Sequence, residues 1–159
     1  MLNTKDFVDD IKQYLKTKVI ALDSNFSDLE TFTAYTYEHT PKAPEIDVYI
    51  NDDNDDEISN SFTEGENISY ISLNIYCYGE AMILNSDTKK TSGVDVATLL
   101  AQRVKEAMAK NNLLTSNSNI ISSTRMSYTG AVNVRDTILY VAIFRYDIKV
   151  RNNYTKIYS

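Results

Sequence analysis

The chain has no tryptophan, one cysteine, one histidine, two prolines and four glycines among its 159 residues. Each scarcity narrows the chemistry. A single cysteine, Cys77, cannot form a disulfide within the chain, which fits a reducing compartment such as the cytoplasm. A single histidine, His39, beside a proline turn, leaves no His-based triad to build, and Cys77 alternates with Leu73 and Ile75 as a small buried hydrophobe would. The glycines at 65, 79, 93 and 130 are scattered singly at turns, so no phosphate-cradling loop is present. No apolar run approaches the ~20 residues of a membrane-spanning helix. The opening "MLNTKDFVDDIKQYLK" mixes acidic with apolar residues, unlike a signal peptide. These features point away from an enzyme, a resident cofactor and a membrane partner.

What is plentiful is tyrosine, with 12 residues, and negative charge, with a formal net charge of −6. Tyrosine suits half-buried sheet and interface positions, where the ring packs and the hydroxyl stays hydrogen-bonded. Net negative charge without a basic stripe disfavours a surface that neutralises phosphates, so nucleic acid is not expected to bind stably. The length suits one domain spanning residues 1 to 159, with a core that needs no metal or disulfide.

Hydrophobic spacing places an amphipathic helix over residues 4–17, through Phe7, Val8, Ile11, Tyr14 and Leu15, capped by Asn3 or Thr4. Strands follow at 31–39 and 45–50, separated by the turn "TPKAP", and a third at 68–79 places Ile71, Leu73, Ile75 and Cys77 on one face. A polar loop over 80–91 leads to the clearest helix. Ser92 caps it, and Val96, Leu99, Leu100, Val104, Ala107 and Met108 form its stripe until Asn111 and Asn112. A strand over 119–128, a turn over 129–136 and a strand over 137–150 complete the chain. This order predicts an α+β fold: one mixed, mainly antiparallel sheet with two helices packed on one face.

Between the second and third strands lies "NDDNDDEISNSFTEGEN", residues 51–67, which reads as an exposed acidic loop. It is long for a connection, so it is a candidate for ordering against a partner. Asp53, Asp55, Glu57 and Glu64 fall at positions 1, 3, 5 and 12 of an EF-hand-like register, a weak candidate calcium site. Ile58 stands where the sharp turn needs glycine, and Asn60 where an aliphatic residue belongs. The alternative readings are a solvated loop and a negative surface that repels DNA.

The last strand poses a packing question. One face of "TILYVAIFRYDIKV" carries Ile138, Tyr140, Ala142, Phe144, Tyr146, Ile148 and Val150, while the other starts with Leu139, Val141 and Ile143 and ends with Arg145, Asp147 and Lys149. If both helices lie on the first face, Leu139, Val141 and Ile143 would each forgo roughly 1.5–3 kcal/mol of burial in water. A neighbouring copy of the chain is the favoured cover, with Tyr76 and Tyr78 of the third strand as a second interface candidate. Cover by the chain's own helix and loop is the alternative.

Four stretches together carry a resemblance: "GENISYISLNIYCYG" (65–79), "SGVDVATLLAQRVKEAMAKNNLL" (92–114), "DTILYVAIFRYDIKV" (136–150) with its Arg145-Tyr146 pair, and the closing "TKIYS". In order and spacing the last two thirds of the chain resembles the tail terminator, or tail completion, proteins of tailed bacteriophages, especially phages of Gram-positive bacteria. The segment "RMSYTGAVNV" (125–134) is an addition relative to commoner members. The resemblance implies a structural virion protein that forms a homohexameric ring at the tail neck, caps the tail tube, ends its polymerisation and meets the head-tail connector. DNA would pass through the ring without specific binding. On that analogy Asp52, Asp53, Asp55, Asp56 and Glu57 line an assembly or channel loop. Another neck, connector or tube-like ring protein is the alternative within the class, and a calcium-dependent binding module using the acidic loop is the alternative outside it.

Overall fold

In a computed structural model, residues 4–33, 40–55, 66–85, 87–109, 120–133 and 139–153 are described. The first helix, α1 (Thr4–Leu22), runs a full turn beyond its expected end. The reason is that Val8, Ile11, Leu15 and Val19 extend one buried stripe at intervals of three and four, and no proline or glycine interrupts it. Asp23 then turns the chain. Its Oδ1 accepts from the backbone N–H of Asn25 (3.0 Å) and from Asn25 Nδ2 (2.8 Å), capping a short 3-10 turn at Ser24–Phe26 that buries Phe26.

Among the described residues, seven strands follow around a second helix: β1 (Glu30–Phe32), β2 (Glu45–Asp55), β3 (Glu66–Gly79), β4 (Met82–Ile83), β5 (Lys90–Thr91), α2 (Gly93–Ala109), β6 (Ile120–Asn133) and β7 (Tyr140–Asn153). The main sheet has the order β1-β2-β3-β7-β6, with β1 parallel to β2 and every other pair antiparallel. The expected α+β architecture therefore holds. The strand expected over 31–39 is described only through Phe32; residues 34–39, with His39, lie outside the described residues. Because β1 and β2 are parallel, the "TPKAP" segment links them as a crossover rather than a hairpin turn.

Both helices cover one face of this sheet. Ile46 and Val48 of β2, Leu73, Ile75 and Cys77 of β3, and Ala142, Phe144, Tyr146 and Ile148 of β7 join the helix stripes in one buried cluster. On α2 that stripe runs through Val96, Leu100, Ala101, Val104, Ala107 and Met108, while Leu99 is half-buried beside it. Ser92 caps α2 as expected, its Oγ accepting from Asp95 N at 3.3 Å. Close approach is set by small residues: a Cβ on Gly79 would lie 2.5 Å from the Ala97 backbone nitrogen, so this glycine serves helix-to-strand contact rather than a turn. Tyr14 Oη donates to the Ala107 carbonyl (2.8 Å), and Arg103 Nε donates to Asp23 Oδ2 (3.0 Å), tying α2 to α1 and to its corner.

Several boundaries differ from the sequence reading, for one physical reason: strand pairing carries polar residues that periodicity assigns to loops. Residues 51–55 extend β2 against Ser69–Ser72, and Glu66 and Asn67 begin β3, so the acidic segment is strand at both ends. Residues 129–133, read as a turn, continue β6, with register shifts at Ile120/Ser122, Arg125/Ser127 and Thr129/Val132. The added segment 125–134 thus lies almost wholly within a strand. The polar loop 80–91 contains the two-stranded ribbon β4–β5. Strand β7 is a central strand, pairing with β3 over fourteen consecutive positions and with β6 on its other side.

Candidate functional site: the second face of the sheet

The face opposite the helices is built from alternate residues of β2, β3 and β7. Register aligns them in rows: Glu45, Tyr78 and Val141; then Asp47, Tyr76 and Ile143; then Tyr49, Asn74 and Arg145. Asp52, Ser72 and Asp147 are partners in the next row, displaced by the bulge between Ile50 and Asp52. The face is graded, from apolar and aromatic near the start of β7 to polar further along.

The four interface candidates Tyr76, Tyr78, Val141 and Ile143 therefore do come together, in two adjacent rows. Leu139 immediately precedes β7 and is half-buried. Val141 is only 8% exposed although both described helices pack on the other face; it lies in register between Tyr78 and Val132. Ile143 remains half-buried. The expected three-residue apolar exposure is thus partly closed within the protomer by cross-strand neighbours. The Tyr76 and Tyr78 rings stack at 6.4 Å with an interplanar angle of 14°, and Tyr49 meets Tyr76 edge-on at 5.4 Å.

Beneath this tyrosine cluster lies a feature the sequence reading missed. Glu45 is 5% exposed and Asp47 1%, on the same face of β2. Tyr49 Oη donates to Asp47 Oδ2 at 3.1 Å, whereas Asp47 Oδ1 has no hydrogen-bond partner among the described residues. Burial, and then the hydrogen bond to Glu45 and repulsion by its charge, push the Asp47 carboxyl up to about 8 against the opposing Tyr49 hydroxyl. The Tyr78 hydroxyl is held above its ordinary range by burial first and by Asp47 next. The available signal was the alternation "EIDVY", which sets residues 45, 47 and 49 on one side of a strand.

At the polar end, Ser72 Oγ donates to Asp147 Oδ1 (2.9 Å), Arg145 Nη2 donates to Ser72 Oγ (3.4 Å), and Arg145 Nε sits 3.5 Å from Asp147 Oδ1. This is a solvent-facing network, open to a partner and weak as a source of stability.

The acidic-loop assignments need correction. Asp52, Asp53 and Asp55 occupy β2, opposite Ser72, Ile71 and Ser69. The backbone at Asp53 and Asp55 is extended and paired rather than in the loop conformation of an EF-hand. Asp56, Glu57 and Glu64 lie outside the described residues. Among the described residues no group of three His, Cys, Asp or Glu side chains is placed to hold a metal. Cys77 is buried on the helix face, and burial, with the charge of Asp47 adding to it, pushes its thiol upward, away from thiolate chemistry. No helix among the described residues is long and apolar enough to cross a membrane. Compared with known proteins, the chain matches no family model and no curated protein.

Proposed function

We propose that the protein is a non-enzymatic, ring-forming component of the phage tail neck: a tail terminator that caps the tail tube, halts its polymerisation and offers its other side to the head-tail connector. One observation carries this reading. A sheet whose two described helices serve one side presents Tyr76, Tyr78 and Ile143 on the other, half-buried and adjoining the Arg145–Asp147 network, as a surface suited to a second copy. The order of helix, strands, capped helix and late Arg145-Tyr146 strand adds the family resemblance to that geometry.

In this reading copies pack head to tail, because a surface used against a different surface closes into a ring when the rotation closes. The ring would be a hexamer in the virion, assembled in the host cytoplasm. The acidic stretch Asp52–Glu57, with the net charge of −6, would face an assembly contact or the channel and let DNA pass without binding. Light scattering and negative-stain imaging of the purified chain, alone and with tail tube protein, test the proposal: closed rings, or rings capping tubes, are expected. A chain that stays monomeric at every concentration and never joins a tube end overturns it.

A further inference from the structure

We infer that the β4–β5 ribbon of one copy docks on the second face of the next, supplying the other half of the head-to-tail contact; this rests on the ring reading above. Among the described residues four large apolar side chains are exposed: Leu22, Ile83, Val94 and Val132. They sort into two patches. Val132, 49% exposed, lies on the second face, paired with Val141 in the row that continues to Tyr78. The other three gather about the ribbon, on the side of the helices. Ile83, in β4, is the most exposed of the four at 55%. Leu22 leads into the corner that receives the ribbon, and Val94 lies in the first turn of α2, just past the ribbon's end.

The ribbon is a built projection. It stands apart from the main sheet, yet Asn85 fastens it to the end of α1: its backbone N–H donates to Asn25 Oδ1 (2.7 Å) and its Nδ2 to Ser24 Oγ (2.6 Å). The Asp87 N–H donates to the Leu84 carbonyl (2.9 Å) within the turn, and the receiving corner is itself held to α2 by the Asp23–Arg103 pair. Met82 packs against the core cluster, so its strand neighbour Ile83 is left facing outward. One exposed isoleucine is ordinary on a protein surface. One fixed outward by hydrogen bonds loses little freedom when a partner covers it.

Position and charge name the occupant as a second copy. Strand β3 ends at Gly79 opposite Tyr140, the first residue of β7, and the ribbon begins three residues later. Gly93, just beyond the ribbon, packs on Tyr140 so closely that a Cβ there would lie 2.6 Å from the ring. The ribbon and the Tyr78–Val141–Val132 row therefore stand at one end of the sheet, on opposite sides of it. Patches so placed can meet round a ring without a step along its axis, whereas patches at opposite ends of the strands would build a filament. The ribbon also carries Lys89 and Lys90, both exposed, against the one exposed acid of its turn, Asp87. The two rows that would receive it hold the acids Glu45 and Asp47 and no base among the described residues. In a chain of net charge −6, a basic ribbon on such a face is the pairing that attraction favours.

The test uses the full chain. Rings of the double variant Ile83→Cys, Val132→Cys, treated with a bismaleimide, should give a ladder of covalent multimers up to the ring size. Either single variant should give none, since Cys77 is buried. Ile83→Glu should leave monomers by light scattering with the thermal midpoint unchanged, because residue 83 already meets water in the protomer. Rings that form without a ladder, or rings that persist in Ile83→Glu, overturn the ribbon contact and leave the ring reading standing. A midpoint that falls in Ile83→Glu also overturns it, since Ile83 would then hold the protomer itself together. A wild-type chain that stays monomeric with and without tube protein overturns both.

Discussion

The two faces of the central β3–β7 pair differ in how they are finished. On the helix face, Leu73, Ile75, Ala142, Phe144 and Ile148 are sealed by α1 and α2, with no more than 2% of any of them exposed. On the other face, the same strands present tyrosines, a half-buried isoleucine and an exposed arginine, beside the buried acids Glu45 and Asp47 of the neighbouring β2. The lesson is that alternation along a strand tells which residues share a side, while the supply of helices decides which side is a core. With both described helices committed to one side, the other draws on cross-strand neighbours among the described residues and is open to another molecule.

If that contrast is sound, the largest effect should come from the helix face. Phe144→Ala removes a ring packed 6.4 Å from Tyr146 within the buried cluster that the helix stripes join, leaving a void that a rigid sheet cannot collapse into. A loss of about 3–5 kcal/mol in urea unfolding is expected. A loss below about 1 kcal/mol would break the comparison, since it would mean this face is no better packed than the other.

A smaller effect belongs to the corner that fixes α2 against α1. Burial works to raise the Asp23 carboxyl, but hydrogen bonds from Arg103 and Asn25 outweigh it and hold the group below its ordinary value. Asp23→Ala removes the cap of the short turn and one partner of Arg103, which keeps Glu106 at 3.0 Å. The expected cost is about 1–2 kcal/mol near neutrality. For a depressed carboxyl the contribution is present above about 3.9 and lost as pH falls through the lower folded value. Thermal midpoints of wild type and variant should therefore converge on acidification. This is opposite in sign to Asp47, whose raised carboxyl contributes stability that fades as pH rises.

Much of the helix face was legible in the sequence because a core requires its pattern in every element at once. Val96, Leu100 and Val104 could be placed from spacing alone, as could the cap at Ser92 and the shared side of Leu73, Ile75 and Cys77. The second face was legible only as a remainder. Tyr76, Tyr78, Val141 and Ile143 could be assigned to one side, but that Val141 would be closed by its own sheet depended on the register that sets it between Tyr78 and Val132. The acid pair was hidden for a related reason: composition reads Glu45 and Asp47 as surface residues, and only pairing with β1 and β3 buries them. Strand ends went astray wherever backbone pairing, which is indifferent to side-chain polarity, ran on through Asn51–Asp55 and Thr129–Asn133.

The most discriminating change on the second face is Ile143→Glu rather than a change at Val141. Val141 is already nine-tenths buried in the protomer, so a charge there would disturb folding and assembly together. Ile143 keeps part of its surface in water, and a glutamate can turn its carboxylate outward beside Arg145, so the protomer should lose only about 1 kcal/mol. Between subunits the same charge would be trapped against the partner's surface with its hydration removed, a penalty several times larger. Light scattering should then report monomers with a nearly unchanged thermal midpoint. Intact rings from Ile143→Glu would move the subunit contact off this face, whereas a protomer that unfolds would mean Ile143 is core in the same sense as Phe144.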